Sequence, residues 1–228
     1  MKLEITIPES WADVKLKNYQ DYIKALKPYE GSEVYQQVLI EKAINHFCEL
    51  STEQLNRLPM ENYQGLISYM NELHEQGPTL SLVKKFEIGD TKYGFIPSLD
   101  HMTYGEYLDL STYFQDMWPN MPTIMSILYR PIVEELNETY SIQPYSGTSE
   151  DLEELFANKI TMDIVWGAIG FFLYLQKDLF TGMVTYSIQS LKKMSKTDSQ
   201  LMETLLKNGV DISQLESLPE MISQSLTK

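Results

Sequence analysis

One cysteine, Cys48, stands in 228 residues. An internal disulfide is therefore excluded, and the chain suits a reducing compartment. Histidine is scarce too, at three residues. His46 and Cys48, two positions apart, fall on different sides of a helix and share no metal. His74 has no second histidine one turn on, so it reads as a surface residue near a helix end, and His101 falls in a turn. Glycine-rich phosphate loops and nucleophile elbows are missing. The longest strongly apolar stretch, Ile164 to Leu175, is 12 residues without a charge, whereas a membrane span needs about 20. No secretory leader is expected, because Met1-Lys2 runs straight into an alternating strand. Basic residues number 18 against 32 acids, for a net charge of −14. Such a chain is repelled by a nucleic-acid backbone unless its few bases cluster. No catalytic, metal or cofactor residue is assigned, and an enzyme is not the expected class.

The charge is segregated. Residues 1–30 carry five bases and five acids, as do residues 187–228, so the whole excess lies between Gly31 and Ser187. Ser98 to Asn158 is the extreme, with 11 acids and one base, Arg130. Arg130 sits in the apolar run Ile124 to Val133. An arginine there requires a carboxylate partner, either as a clamp within the chain or as a contact to a neighbouring subunit.

Present in abundance are alternation, turn and cap signals. Leu3, Ile5 and Ile7 share one face of an expected strand, Lys2–Ile7, stopped by Pro8. Phe86 to Ile96 reads as a β-hairpin around Gly89-Asp90, with Tyr93, Gly94 and Phe95 on its return arm. Pro97 ends that arm because it lacks a donor. The N-terminal strand is expected to pair with this hairpin, since two strands alone are marginal, and Trp11 to plug the junction. Thr103 and Glu106 form a capping box that opens a helix running to Met117. Glu106 and Asp109 lie three apart on one helix face, read as a cap and a solvated acid.

Elsewhere helical spacing predominates: Val14–Leu26, Ser32–Leu50 with Ser32 as cap, a short helix after the Ser51–Gln54 capping box, and Glu61–Glu75 stopped by Gly77-Pro78. Thr123–Tyr129 and Ile132–Tyr140 read as helix interrupted by Pro131. Thr148 or Ser149 caps Glu150–Asn158. Ile160–Met194 reads as the central core helix, in which Gly167 and Gly170 admit a close neighbour. The fold expected is α+β and predominantly helical, with a small antiparallel sheet on a helical bundle. A domain of residues 1–195 precedes a Leu/Met-rich helical tail, 196–228.

Three stretches, Ile5–Val14, Phe86–Leu110 and Met125–Ile132, together resemble small proteins encoded among the structural and tail-assembly genes of tailed bacteriophages, especially crAss-like phages of Bacteroides. The resemblance implies a virion or morphogenesis protein and brings no catalytic residues. Its expected partners are other phage structural proteins, in a homo-oligomer or ring, with no membrane and no specific nucleic acid. It is expected in the virion, and in the host cytoplasm during assembly. Structural or interaction roles fall to Trp11, Tyr93, Gly94, Phe95, Pro97, Thr103, Glu106 and Arg130. Two readings follow. One is a head–tail or tail-region subunit, whose acids would keep a DNA channel from binding its cargo. The other is an acidic assembly chaperone absent from the finished particle.

Overall fold

The structure is a computed structural model that describes residues 5–98, 102–137 and 139–172. The chain divides into two compact units, Met1–Ile169 and Gly170–Lys228. The expected boundary at 195/196, the C-terminal helices and the far half of the 160–194 helix lie outside the described residues.

The first unit opens with a 3-10 turn, Trp11–Asp13, capped by Ser10. Helices α1 (Leu16–Leu26), α2 (Tyr35–Phe47), α3 (Thr52–Asn56) and α4 (Met60–Gln76) follow. The three longer ones bury residues one or two helical turns apart: Leu16, Tyr22 and Leu26 on α1, Ala43 and Phe47 on α2, Leu66, Met70 and Leu73 on α4. This is the spacing that lays an apolar stripe against a core. Ser51 and Gln54 complete the expected capping box of α3. Ser32 does not cap α2. Its hydroxyl donates to the Tyr29 carbonyl, and Val34 occupies the cap position without a side-chain bond. Gly77 ends α4 at φ +64°, where glycine carries no Cβ penalty.

A hairpin of β1 (Lys85–Ile88) and β2 (Thr91–Phe95) turns on Gly89, at φ +59°. After α5 (Tyr104–Tyr113) and α6 (Met121–Leu128) come β3 (Tyr129–Leu136) and β4 (Thr139–Ile142). The four strands form one antiparallel sheet in the order β1-β2-β3-β4. Helices α7 (Glu150–Lys159) and α8 (residues 162–172) close the described chain. The fold is α+β and predominantly helical, as the sequence predicts.

Among the described residues the hairpin's third strand is β3. Residues 5–7 join no ladder, and residues 1–4 lie outside the described ones. The chain's early extended contact is made instead at Leu16 N–H to Ile160 C=O, 2.9 Å, and Met162 N–H to Val14 C=O, 2.8 Å. Further, Ile132–Leu136 is strand rather than helix. A residue before proline is driven out of the α region, so Pro131 places Arg130 in extended backbone and α6 stops at Leu128. The β-branched Ile132 and Val133 then suit a strand. A bulge at Val133 separates the Ile132–Ile142 and Glu134–Ser141 pairs.

Helix α6 lies in the core, its residues Thr123 to Leu128 all buried. It shares the central position expected of α8 alone. Gly167 on α8 meets the Ser81 carbonyl so closely that a Cβ would overlap it, the close approach its sequence position suggests.

Candidate interaction site

The sheet has two faces, fixed by strand alternation. On one, Phe86, Tyr93, Phe95 and Tyr129 join Phe156 of α7 in an aromatic cluster with ring centroids 5.0–5.8 Å apart. On the other stand Gly94 and Arg130, paired across β2 and β3. A Cβ on Gly94 would overlap the ring of Tyr140, whose hydroxyl donates to the Phe95 carbonyl at 2.8 Å.

Arg130 reaches from this second face into α5. Its Nη2 donates to Glu106 Oε1 at 2.5 Å, and both side chains are nearly sealed from water, at 11% and 3% exposure. Glu106 does double duty. Its Oε2 accepts from the Thr103 N–H at 2.6 Å and from the Thr103 hydroxyl at 2.7 Å, while Thr103 Oγ1 accepts from the Glu106 N–H. One carboxylate therefore caps a helix and neutralises the only base of the acidic segment. Tyr145, in the loop before α7, lies over the guanidinium at 5.6 Å from ring centre to Cζ, a cation–π distance. Its hydroxyl donates to Asp109 Oδ2. Burial, then the Asp109 bond, pushes the Tyr145 phenol well above its ordinary range. Arg130 Nε is buried with no acceptor.

Thr103, Glu106, Arg130 and Gly94 are thus brought together, with Asp109, read from sequence as solvated, and Tyr145, not anticipated, alongside them. Tyr93 and Phe95 belong to the opposite, aromatic face and are buried. Pro97 is an exposed bend residue just past β2. Trp11 lies apart, 9% exposed and packed edge-on against Tyr19, Phe47 and His74. It plugs a helical junction rather than one at the sheet. His74 is half-buried in that cluster, contrary to a surface role. Its Nδ1 donates to the Met70 carbonyl at 2.7 Å, which leaves Nε2 to accept from the Tyr22 hydroxyl at 3.3 Å.

The outer side of α5 is its unexpected feature. Tyr104, Tyr107 and Leu108, at i, i+3 and i+4, are 75%, 59% and 44% exposed. One turn further, the Ser111 and Thr112 hydroxyls donate back to the Tyr107 and Leu108 carbonyls at 2.7 and 2.9 Å. The helix is inverted in part: Glu106 and Asp109 turn toward protein partners beside the buried Leu110, while Tyr104, Tyr107 and Leu108 turn toward solvent. The signal for this was in the sequence, since Glu106 and Asp109 share a face and Tyr104, Tyr107 and Leu108 fall on the other.

An open cleft of about 400 Å³ lies elsewhere, lined by Ala25, Lys42, Asn45, His46 and Glu49 among others. Burial lowers the His46 pKa and pushes the neighbouring Cys48 thiol up to about 11, away from thiolate chemistry. Among the described residues no group of three or more His, Cys, Asp or Glu is placed to hold a metal ion, and no helix is long and apolar enough to cross a membrane. Comparison with protein-family models, with curated proteins and with solved structures finds no match.

Proposed function

We propose that this chain is a non-enzymatic structural protein of a tailed-phage particle, built into the head–tail or tail region through protein–protein contacts. The observation that carries the reading is the exposed stripe of Tyr104, Tyr107 and Leu108 on helix α5. A buried ion pair holds the helix down, and the stripe faces outward from it, where ordinary surfaces place charge. The resemblance of residues 5–14, 86–110 and 125–132 to phage structural and tail-assembly proteins supplies the setting. These stretches include the hairpin, the first part of α5 and the α6–β3 junction, which are the parts that build the clamp. The proposal includes assembly with other virion proteins or copies of the chain in a ring, without membrane or specific nucleic-acid binding. The acids are not one continuous lining, because Glu106 is consumed inside and Glu135 pairs with Lys85 and Lys92. Glu150, Asp151 and Glu154 on α7 remain exposed and suit a surface that repels passing DNA.

The second reading is a soluble chaperone of tail assembly, present in the host cytoplasm and absent from the particle. Its support is the same apolar stripe beside exposed acids, which would shield a client until it is handed on. Mass spectrometry of purified particles divides the two. The structural reading expects this chain in stoichiometric amount in the virion, and its absence there, with abundance in infected cells, overturns it in favour of the chaperone.

A further inference from the structure

We infer that the outer stripe of α5, Tyr104, Tyr107 and Leu108, is the docking face for a basic, apolar segment of a different protein. This rests on the reading of the chain as a contact-making protein and names the chemistry of one partner. Three observations converge on it.

The first is presentation. α5 is fastened from beneath by Glu106 on Arg130 and by Asp109 on Tyr145, so the stripe is offered on a rigid element, which lowers the ordering cost of binding. The second is composition. Tyrosine and leucine at helical spacing match the anchors by which an apolar partner face is gripped, and tyrosine is enriched where contact surfaces must also tolerate water.

The third is charge. From Ser98 to Asn158 the only Lys or Arg is Arg130, and Glu106 consumes it internally. The segment that builds this face therefore offers no free cation, while Asp116 in the 3-10 turn after α5 and Glu150 and Asp151 at the start of α7 are exposed. An apolar stripe on a segment whose exposed charges are all acidic selects a partner with Lys or Arg flanking its apolar residues. It also disfavours the same face of a second copy. A two-fold contact would set this base-poor segment against its own counterpart, in a chain already at −14. Self-assembly, where it occurs, then uses other surfaces.

The test uses the full chain and synthetic probes. Fluorescence anisotropy measures binding of an amphipathic helical Leu/Lys peptide of about five turns, and of its Leu/Glu counterpart. The variants are the triple substitution Tyr104→Gln/Tyr107→Gln/Leu108→Gln and, as a control on another exposed apolar site, Val133→Gln/Leu136→Gln. All five positions are exposed, so melting temperatures should stay close to the parent's. The expected result is that the Leu/Lys peptide binds, the Leu/Glu peptide does not, the triple variant loses at least about tenfold in affinity, and the control variant keeps it. Equal affinity of parent and triple variant overturns the proposal, as does binding of both peptides alike or of neither. So does self-association, by light scattering, that the triple variant abolishes, because the occupant is then a second copy. Particle composition tests the broader reading and peptide binding tests this face, so the two fail separately.

Discussion

A guanidinium shut away from water is tolerable only opposite its counter-charge, and removing one partner leaves the other as a buried, uncompensated ion at a cost of about 3–5 kcal/mol. Arg130 and Glu106 meet that description, with nearly sealed side chains at 2.5 Å. Arg130→Ala is therefore expected to lower the melting temperature by about 6–20 °C, at roughly 2–4 °C per kcal/mol for a chain of this size. A drop below about 2 °C would contradict the clamp. The loss has a named cause, and a second substitution isolates it. Glu106→Gln removes the orphaned charge but keeps a side-chain oxygen for the Thr103 N–H, since glutamine serves at this position of a capping box. Adding Glu106→Gln to Arg130→Ala should therefore raise the melting temperature above that of Arg130→Ala alone. If the double variant instead falls further, by the full sum of the single losses, charge compensation is not what the pair provides.

Among the elements, α8 is the most sensitive to a single methyl group. Alanine is better than glycine in a helix interior by about 1 kcal/mol, so propensity alone predicts that Gly167→Ala stabilises. Packing reverses the sign. The new Cβ would overlap the Ser81 carbonyl, which is backbone and cannot rotate away. Overpacking of this kind costs about 1–3 kcal/mol. Gly167→Ala should consequently unfold at lower urea concentration than the parent, with an unchanged m-value, and a gain in midpoint would show the Ser81 strand of chain to be free to move. This close approach was legible in the sequence, as were the caps at Ser51 and Thr103, the turn at Gly89 and the break at Gly77. All are local signals carried by residue types whose backbone or side-chain chemistry fixes the conformation. The β3–β4 hairpin was not legible, because Ile132 to Tyr140 also fits helical spacing and only the long-range pairing with β2 decides the matter. Pro131 was the available local clue, read as a kink when its stronger effect falls on Arg130. Likewise, the need of Arg130 for an acid was written in its apolar surroundings. That the acid would be Glu106, already engaged at a helix cap 24 positions away, depends on how α5 lies against the sheet.

At the scale of the molecule, the tyrosines that give the chain its aromatic character also set its response to alkali. Burial first, and a nearby Tyr35 second, push the Tyr19 phenol up to about 12 from 10.0. Tyr22 and Tyr129 are raised further, again chiefly by burial. The Cys48 thiol rises to about 11 from 9.0 for the same reason. In each case the folded chain keeps a proton that the unfolded chain releases. The number of protons bound by the unfolded state then falls below that of the native state once the pH passes the ordinary values, and stability declines with rising pH. The contribution is fully present below about pH 9 and is lost progressively towards the folded values, each such group adding at most about 1.4 kcal/mol per pH unit to the slope. Urea midpoints should accordingly hold steady from neutral pH to about 9 and fall steeply between about 10 and 12, with tyrosinate absorbance at these sites appearing only on unfolding. Acid gives a different picture. The exposed carboxylates pair weakly, as Lys15 with Glu49 and Arg57 with Glu53 do at the surface, so little stability rides on each. A midpoint that stays level to pH 12 would mean that these phenols ionise inside the fold, and that the two aromatic clusters admit water.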